Sequence, residues 1–225
     1  MLLVPELSNS AITAEKRPTF GEQCLTEEEL SSKVLSLSEP YSKAQETASF
    51  LRESARQSRT CRQQIIASVM KAMDKPHLDI SRDQASDDLW REGARLLGDL
   101  KAAEALDLLL SHITMNDHEW SVTMVHQPAI EGIIRMGPIA IPKLTVMVQK
   151  NTDREVRQDA VYCLAWIGGA SARRVLEQVF PIESDPCVKH FIRVSINTMD
   201  KSGRLRNDQG QWLSAFLCNG SEGLK

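Results

Sequence analysis

Residues 152–180 constrain this chain most. Thr152-Asp153-Arg154-Glu155 has the form of a capping box. In that arrangement a threonine oxygen takes a free amide of the first turn and the glutamate reaches back three residues. Val156, Ala160, Leu164 and Ile167 follow at the spacing of one helical face. Gly168-Gly169 predicts the end of that helix, because glycine adopts the left-handed conformation at little cost. A second apolar set, Ala172, Val175, Leu176, Val179 and Phe180, runs up to Pro181, which cannot continue a helix comfortably. Two short amphipathic helices joined this way must pack as an antiparallel pair. Each keeps an apolar flank that a neighbouring pair can bury.

Asp153, Val156, Arg157, Ala160, Leu164, Ile167 and Gly168 resemble the first-helix pattern of HEAT and HEAT-like repeats, the type also found in bilin lyase subunits. The resemblance implies an all-α fold, an α-solenoid of stacked antiparallel helix pairs. It also implies that the Asp and Arg are structural and tie one repeat to the next. A fold of this kind implies a superhelical scaffold and says little about activity.

Weaker copies flank the central unit. Residues 1–25 lack periodicity and predict a flexible N-terminal arm. Residues 26–80 predict an N-terminal helical region packing on the solenoid. Thr26 to Glu29, Ser42 to Gln45 and Thr60 to Gln63 have capping-box or helix-opening form, and Leu30, Val34 and Leu37 make one apolar face. Residues 81–197 hold the HEAT-like repeats. A restart at Ser81 leads to Leu89, Trp90, Ala94 and Leu97, and then Gly98 is expected to end the helix. A partner helix carries Ala102 to Ile113, a loop spans Thr114 to Glu119, and a helix from about Trp120 runs to Gly137. Asp185, Val188 and Lys189 repeat Asp153, Val156 and Arg157 at a step of 32 residues. Pro186 suits the first helical position after an Asp cap. Residues 198–225 predict a C-terminal cap or tail around Trp212.

No run reaches the roughly 18 apolar residues that a membrane-spanning helix needs. The chain begins without a basic region before its short apolar start, so it does not read as a secretory signal. With 27 basic against 30 acidic residues, the balance argues against a chain that wraps nucleic acid. The cysteines, Cys24, Cys61, Cys163, Cys187 and Cys218, are odd in number and widely spaced. That pattern predicts reduced, buried thiols and a cytoplasmic location.

Four arginines, Arg52, Arg56, Arg59 and Arg62, form a basic stripe if one helix carries them all; a helix start at Thr60 would split it. His118-Glu119 resembles the His-Glu pairs of HEAT-repeat deoxyhypusine hydroxylases, but that family spreads several such pairs over its repeats and this chain has one. HEAT-like DNA alkylation-repeat glycosylases use a basic cleft with an aromatic and an acidic residue. Here Trp90 and Trp166 sit beside apolar helix positions, where core packing is the expected role. Serine-nucleophile motifs, phosphate loops and zinc spacings are absent from the sequence.

The expected function is therefore a non-catalytic scaffold that binds another protein, with no cofactor and no metal. In HEAT-like folds the second helices line the concave side. The candidate protein-binding residues there are Glu104, Asp107, Lys143, Arg173, Arg174 and Glu177. Their mixed signs suit a protein partner better than a polyanion. The alternatives are a bilin lyase-like enzyme subunit, or a nucleic-acid-binding protein using the arginine stripe.

Overall fold

The computed structural model describes residues 24–39, 41–74, 84–115, 127–200 and 203. The arm up to residue 23, the restart at Ser81, the loop at Asn116 to Glu119 and the cap around Trp212 lie outside the described residues; the helix expected from about Trp120 to Gly137 begins instead at Pro128, after the non-helical Gln127. Among the described residues the chain is all-helical and no strand occurs. The helices are α1 (Glu27–Leu35), α2 (Tyr41–Gln57), α3 (Arg59–Met73), α4 (Gln84–Asp99) and α5 (Leu106–Ser111). They continue with α6 (Pro128–Met136), α7 (Ile141–Lys150), α8 (Arg154–Ile167), α9 (Gly169–Val179) and α10 (Pro186–Thr198).

Local chemistry sets most of the boundaries. Thr26 and Glu29 form a reciprocal capping box at the start of α1, with the Glu29 carboxylate accepting from the Thr26 amide at 2.9 Å. Asp185 caps α10, accepting from the Cys187 and Val188 amides, and Pro186 takes the first helical position. Three other expected starts shift. The cap of α8 is Asp153, which accepts from the Glu155 amide at 2.8 Å, so Thr152 lies outside the helix. The cap of α3 is Ser58, not Thr60. Ser42 sits inside α2, which begins at Tyr41.

The glycines divide into two kinds. Gly137 and Gly168 end α6 and α8 at φ of 72° and 67°, as expected. Gly98 does not end its helix. It lies inside the last turn of α4, and the left-handed turn is made two residues after α4 by Lys101, at φ 53°. The lack of a side chain at Gly98 serves packing instead: a β-carbon there would stand 2.5 Å from the Gly132 carbonyl oxygen of α6.

α4 packs on α6, α6 on α8, and α8 on α10; α7 packs on α8 and on α9. One apolar cluster runs through all of them, from Leu30, Val34 and Leu37 at one end to Val188, Phe191 and Ile192 at the other. The N-terminal region shares this core, since α2 and α3 both contact α4. Polar ties cross the same seams. Arg95 of α4 meets Glu131 of α6 at 2.8 Å, and Arg135 of α6 meets Asp99 of α4 at 2.9 Å. Arg157 joins the loop before α8 to the loop after α9. It donates to the Asn151 and Thr152 carbonyls and to both oxygens of Glu183.

The cysteines depart from expectation. Cys24, just before α1, is disulfide-bonded to Cys61 in the first turn of α3. Cys187 is also in a disulfide, with a partner outside the described residues. Cys163 is free and buried. A separation of 37 residues hides the first pair from any local motif.

Candidate functional site

The outward sides of α5, α7 and α9, with the 3-10 turn Ala103–Ala105 that leads into α5, carry all six candidate residues. Lys143 of α7 pairs with Asp107 of α5, joining those two helices at the surface. α7 and α9 pack directly on one another. α5, α7 and α9 are therefore linked in sequence, the first two by that ion pair and the last two by packing.

Most of the candidates have partners inside the molecule. Glu104 stands 3.6 Å from Arg62 of α3. Arg173 is half-buried; its Nε donates to Glu177 at 2.8 Å, and its Nη1 donates to the carbonyls of Ile196, Met199 and Asp200. That guanidinium closes the C-terminal end of α10, where four helical carbonyls have no intrahelical amide. Arg174 is exposed. Of the six candidates, Arg173 therefore also holds the fold together.

Sequence reasoning overlooked three neighbours. Ile139, in the turn before α7, is 44% exposed, and Val146 is 50% exposed. Lys150 is exposed at the end of the same helix. Ile139, Lys143, Val146 and Lys150 follow gaps of 4, 3 and 4, so they share one stripe. The available signal was the apolar residue at 146, recurring with a lysine set rather than with Leu144 and Val148.

The arginine stripe is broken, because α2 ends at Gln57 and α3 begins at Arg59. Arg52 pairs with Asp99 at 2.8 Å, Arg56 with Glu53, and Arg62 donates to the Leu100 carbonyl. Trp90 is buried and packs against His112 at 4.6 Å with the rings tilted by 45°, and Trp166 sits 6.0 Å from Tyr162. His118-Glu119 lies outside the described residues. Among the described residues no group of three His, Cys, Asp or Glu is placed to hold a metal ion, and no helix is long and apolar enough to cross a membrane.

α8 carries the strongly perturbed groups. Burial, with the Glu155 and Asp153 carboxylates nearby, pushes the Asp159 carboxyl up to about 7. Burial raises the Tyr162 hydroxyl to about 12 and the Cys163 thiol well above its ordinary value. A thiol so buried stays protonated and is a poor nucleophile. Glu155, Asp159 and Cys163 recur every four residues on one helix, so the effect of Glu155 on Asp159, and of Asp159 on the Cys163 thiol, follows from sequence spacing.

Comparison with protein-family models, curated proteins and solved structures returns no match for this chain.

Proposed function

We propose that this chain is a non-catalytic helical-repeat scaffold, an α-solenoid of the HEAT-like kind, that binds another protein along the α5–α7–α9 surface. The observation that carries this reading is the continuity of that surface, bridged by Lys143 and Asp107, with Val146 and Ile139 half-exposed among polar side chains. Stacked helix pairs leave such a face free while their flanks bury one another.

The test is site-specific photocrosslinking. A benzophenone amino acid replaces Val146 on α7, or, as a control, Glu53 on α2, and the protein is irradiated in extract of the source cells. The expected result is a discrete adduct from position 146 alone. Equal adducts from both positions, or none from 146, would remove the reading.

The disulfides support an oxidising compartment, such as a periplasm or the cell exterior, over the cytoplasm. The cytoplasmic expectation rested on reduced thiols, and the Cys24–Cys61 bond removes that ground.

A further inference from the structure

We infer that the stripe on α7, with Arg174 of α9, takes a segment of a partner protein in which carboxylates alternate with aliphatic side chains. The inference rests on the scaffold reading above and names the chemistry of the partner. Its basis is the pattern Ile139, Lys143, Val146, Lys150, in which apolar and cationic side chains alternate along one helical face. The same step of 31 residues that separates Gly137 from Gly168 separates Lys143 from Arg174, so Arg174 is the repeat equivalent of Lys143 on the next helix.

The cations are available. Lys150 and Arg174 are exposed and form no ion pair with any described residue. Lys143 is held by Asp107, but that carboxylate is 80% exposed. A pair so screened by water is weak, and a partner carboxylate can exchange with Asp107. Val146, half-exposed between Lys143 and Lys150, and Ile139 ahead of Lys143 supply an apolar contact that a phosphate backbone cannot use. Asp107, paired with Lys143, and Glu177, paired with Arg173 next to Arg174, add negative charge beside these cations and disfavour a uniformly anionic polymer.

The test uses two fluorescent peptides of one leucine framework, with glutamates at the polar positions of one and lysines in the other, titrated with the full chain at low salt. The glutamate peptide is expected to bind at least about tenfold tighter than the lysine peptide. Lys150→Glu with Arg174→Glu is expected to weaken it by about tenfold or more, and Val146→Asp to weaken it similarly. Arg59→Glu with Lys71→Glu removes the same charge elsewhere and is expected to change nothing. Circular dichroism of each variant establishes that it folds.

Four results would overturn the inference. The first is no binding of the glutamate peptide at low salt, and the second is equal loss in the Arg59/Lys71 control. The third is displacement of the peptide by duplex DNA at matched charge, which assigns the strip to nucleic acid. The fourth is a dimer, seen by sedimentation, that Val146→Asp dissolves, since the occupant is then a second copy. An adduct at position 146 without peptide binding would refute the acidic partner alone and leave the scaffold reading standing.

Discussion

Gly98 of α4 lies so close to Gly132 of α6 that neither position has room for a side chain. A β-carbon on Gly98 would meet the Gly132 carbonyl oxygen at 2.5 Å, and one on Gly132 would meet the Ala94 carbonyl oxygen at 2.8 Å. Both obstacles are backbone, so relief requires the helices to separate. Gly98→Ala is therefore expected to cost about 1–3 kcal/mol, the range for overpacking a tight core. Gly93→Ala is the matched comparison. Its nearest obstacle is the Met73 sulfur at 2.7 Å, on a flexible side chain that can swing aside. Thermal melts should rank Gly98→Ala well below Gly93→Ala; equal melting temperatures would mean that the seam is loose.

The same glycine shows where sequence reasoning stops. A glycine after an apolar helix face has two uses, a left-handed stop or a close approach, and both give the same letter in the same place. Gly137 and Gly168 were legible because each stands directly before a second apolar face. Gly98 was not, since its reason lies 34 residues away in α6. The caps at Thr26 and Asp185 were legible because both act on amides of their own first turns, whereas the starts of α2 and α3 fell up to two residues from where they were expected. The choice of candidate residues came from the resemblance, which implies that second helices line one side. The partners of Glu104 and Lys143 were not legible, because Arg62 and Asp107 reach them from other helices.

Arg173 is the candidate whose removal should cost stability. Its Nη1 serves three carbonyls at the end of α10, at 3.0 to 3.2 Å, and the Gly169 amide donates to the Gly203 carbonyl beside them at 2.8 Å. Arg173→Ala removes a charged donor from the Ile196 and Met199 carbonyls, while the Asp200 carbonyl keeps the Gly203 amide at 2.9 Å, and is expected to cost roughly 2 kcal/mol. Hydrogen exchange should quicken at the Gly169 amide, and Arg173→Lys should restore part of the protection. Unchanged melting and exchange would return Arg173 to the role of a surface contact.

Asp159 sets a pH dependence. Its carboxyl is raised from an ordinary 3.8 to about 7, first by burial and then by Glu155 and Asp153. A carboxyl with a higher pKa in the folded chain binds its proton more tightly there. The stabilisation is complete below the unfolded value and declines as pH rises, until the group has ionised above about pH 7. Asp159→Asn keeps the site neutral throughout. It should be more stable than wild type at pH 8 by about 2 kcal/mol, discounted because Asp159 keeps some solvent contact. The difference should vanish near pH 4, and melting curves across that range would show it; a gap independent of pH would mean that the carboxyl ionises normally.

Reduction should act first on α1. The Cys24–Cys61 bond closes a loop with a sequence separation of 37 and ties the residue before α1 to the first turn of α3. Closing a loop of that size is worth about 3–4 kcal/mol through the entropy of the unfolded chain. Without it α1, only 9 residues long, depends on the burial of Leu30, Val34 and Leu37. A helix that short does not persist on its own. Cys24→Ser with Cys61→Ser should therefore lower the melting temperature, and exchange protection should fall over α1 more than over α8. Peptide mapping of the protein from its source cells supplies the chemical check. A fragment joining Cys24 to Cys61 should separate on reduction. Free alkylation of both thiols in unreduced protein would remove the bond, and with it the argument for an oxidising compartment.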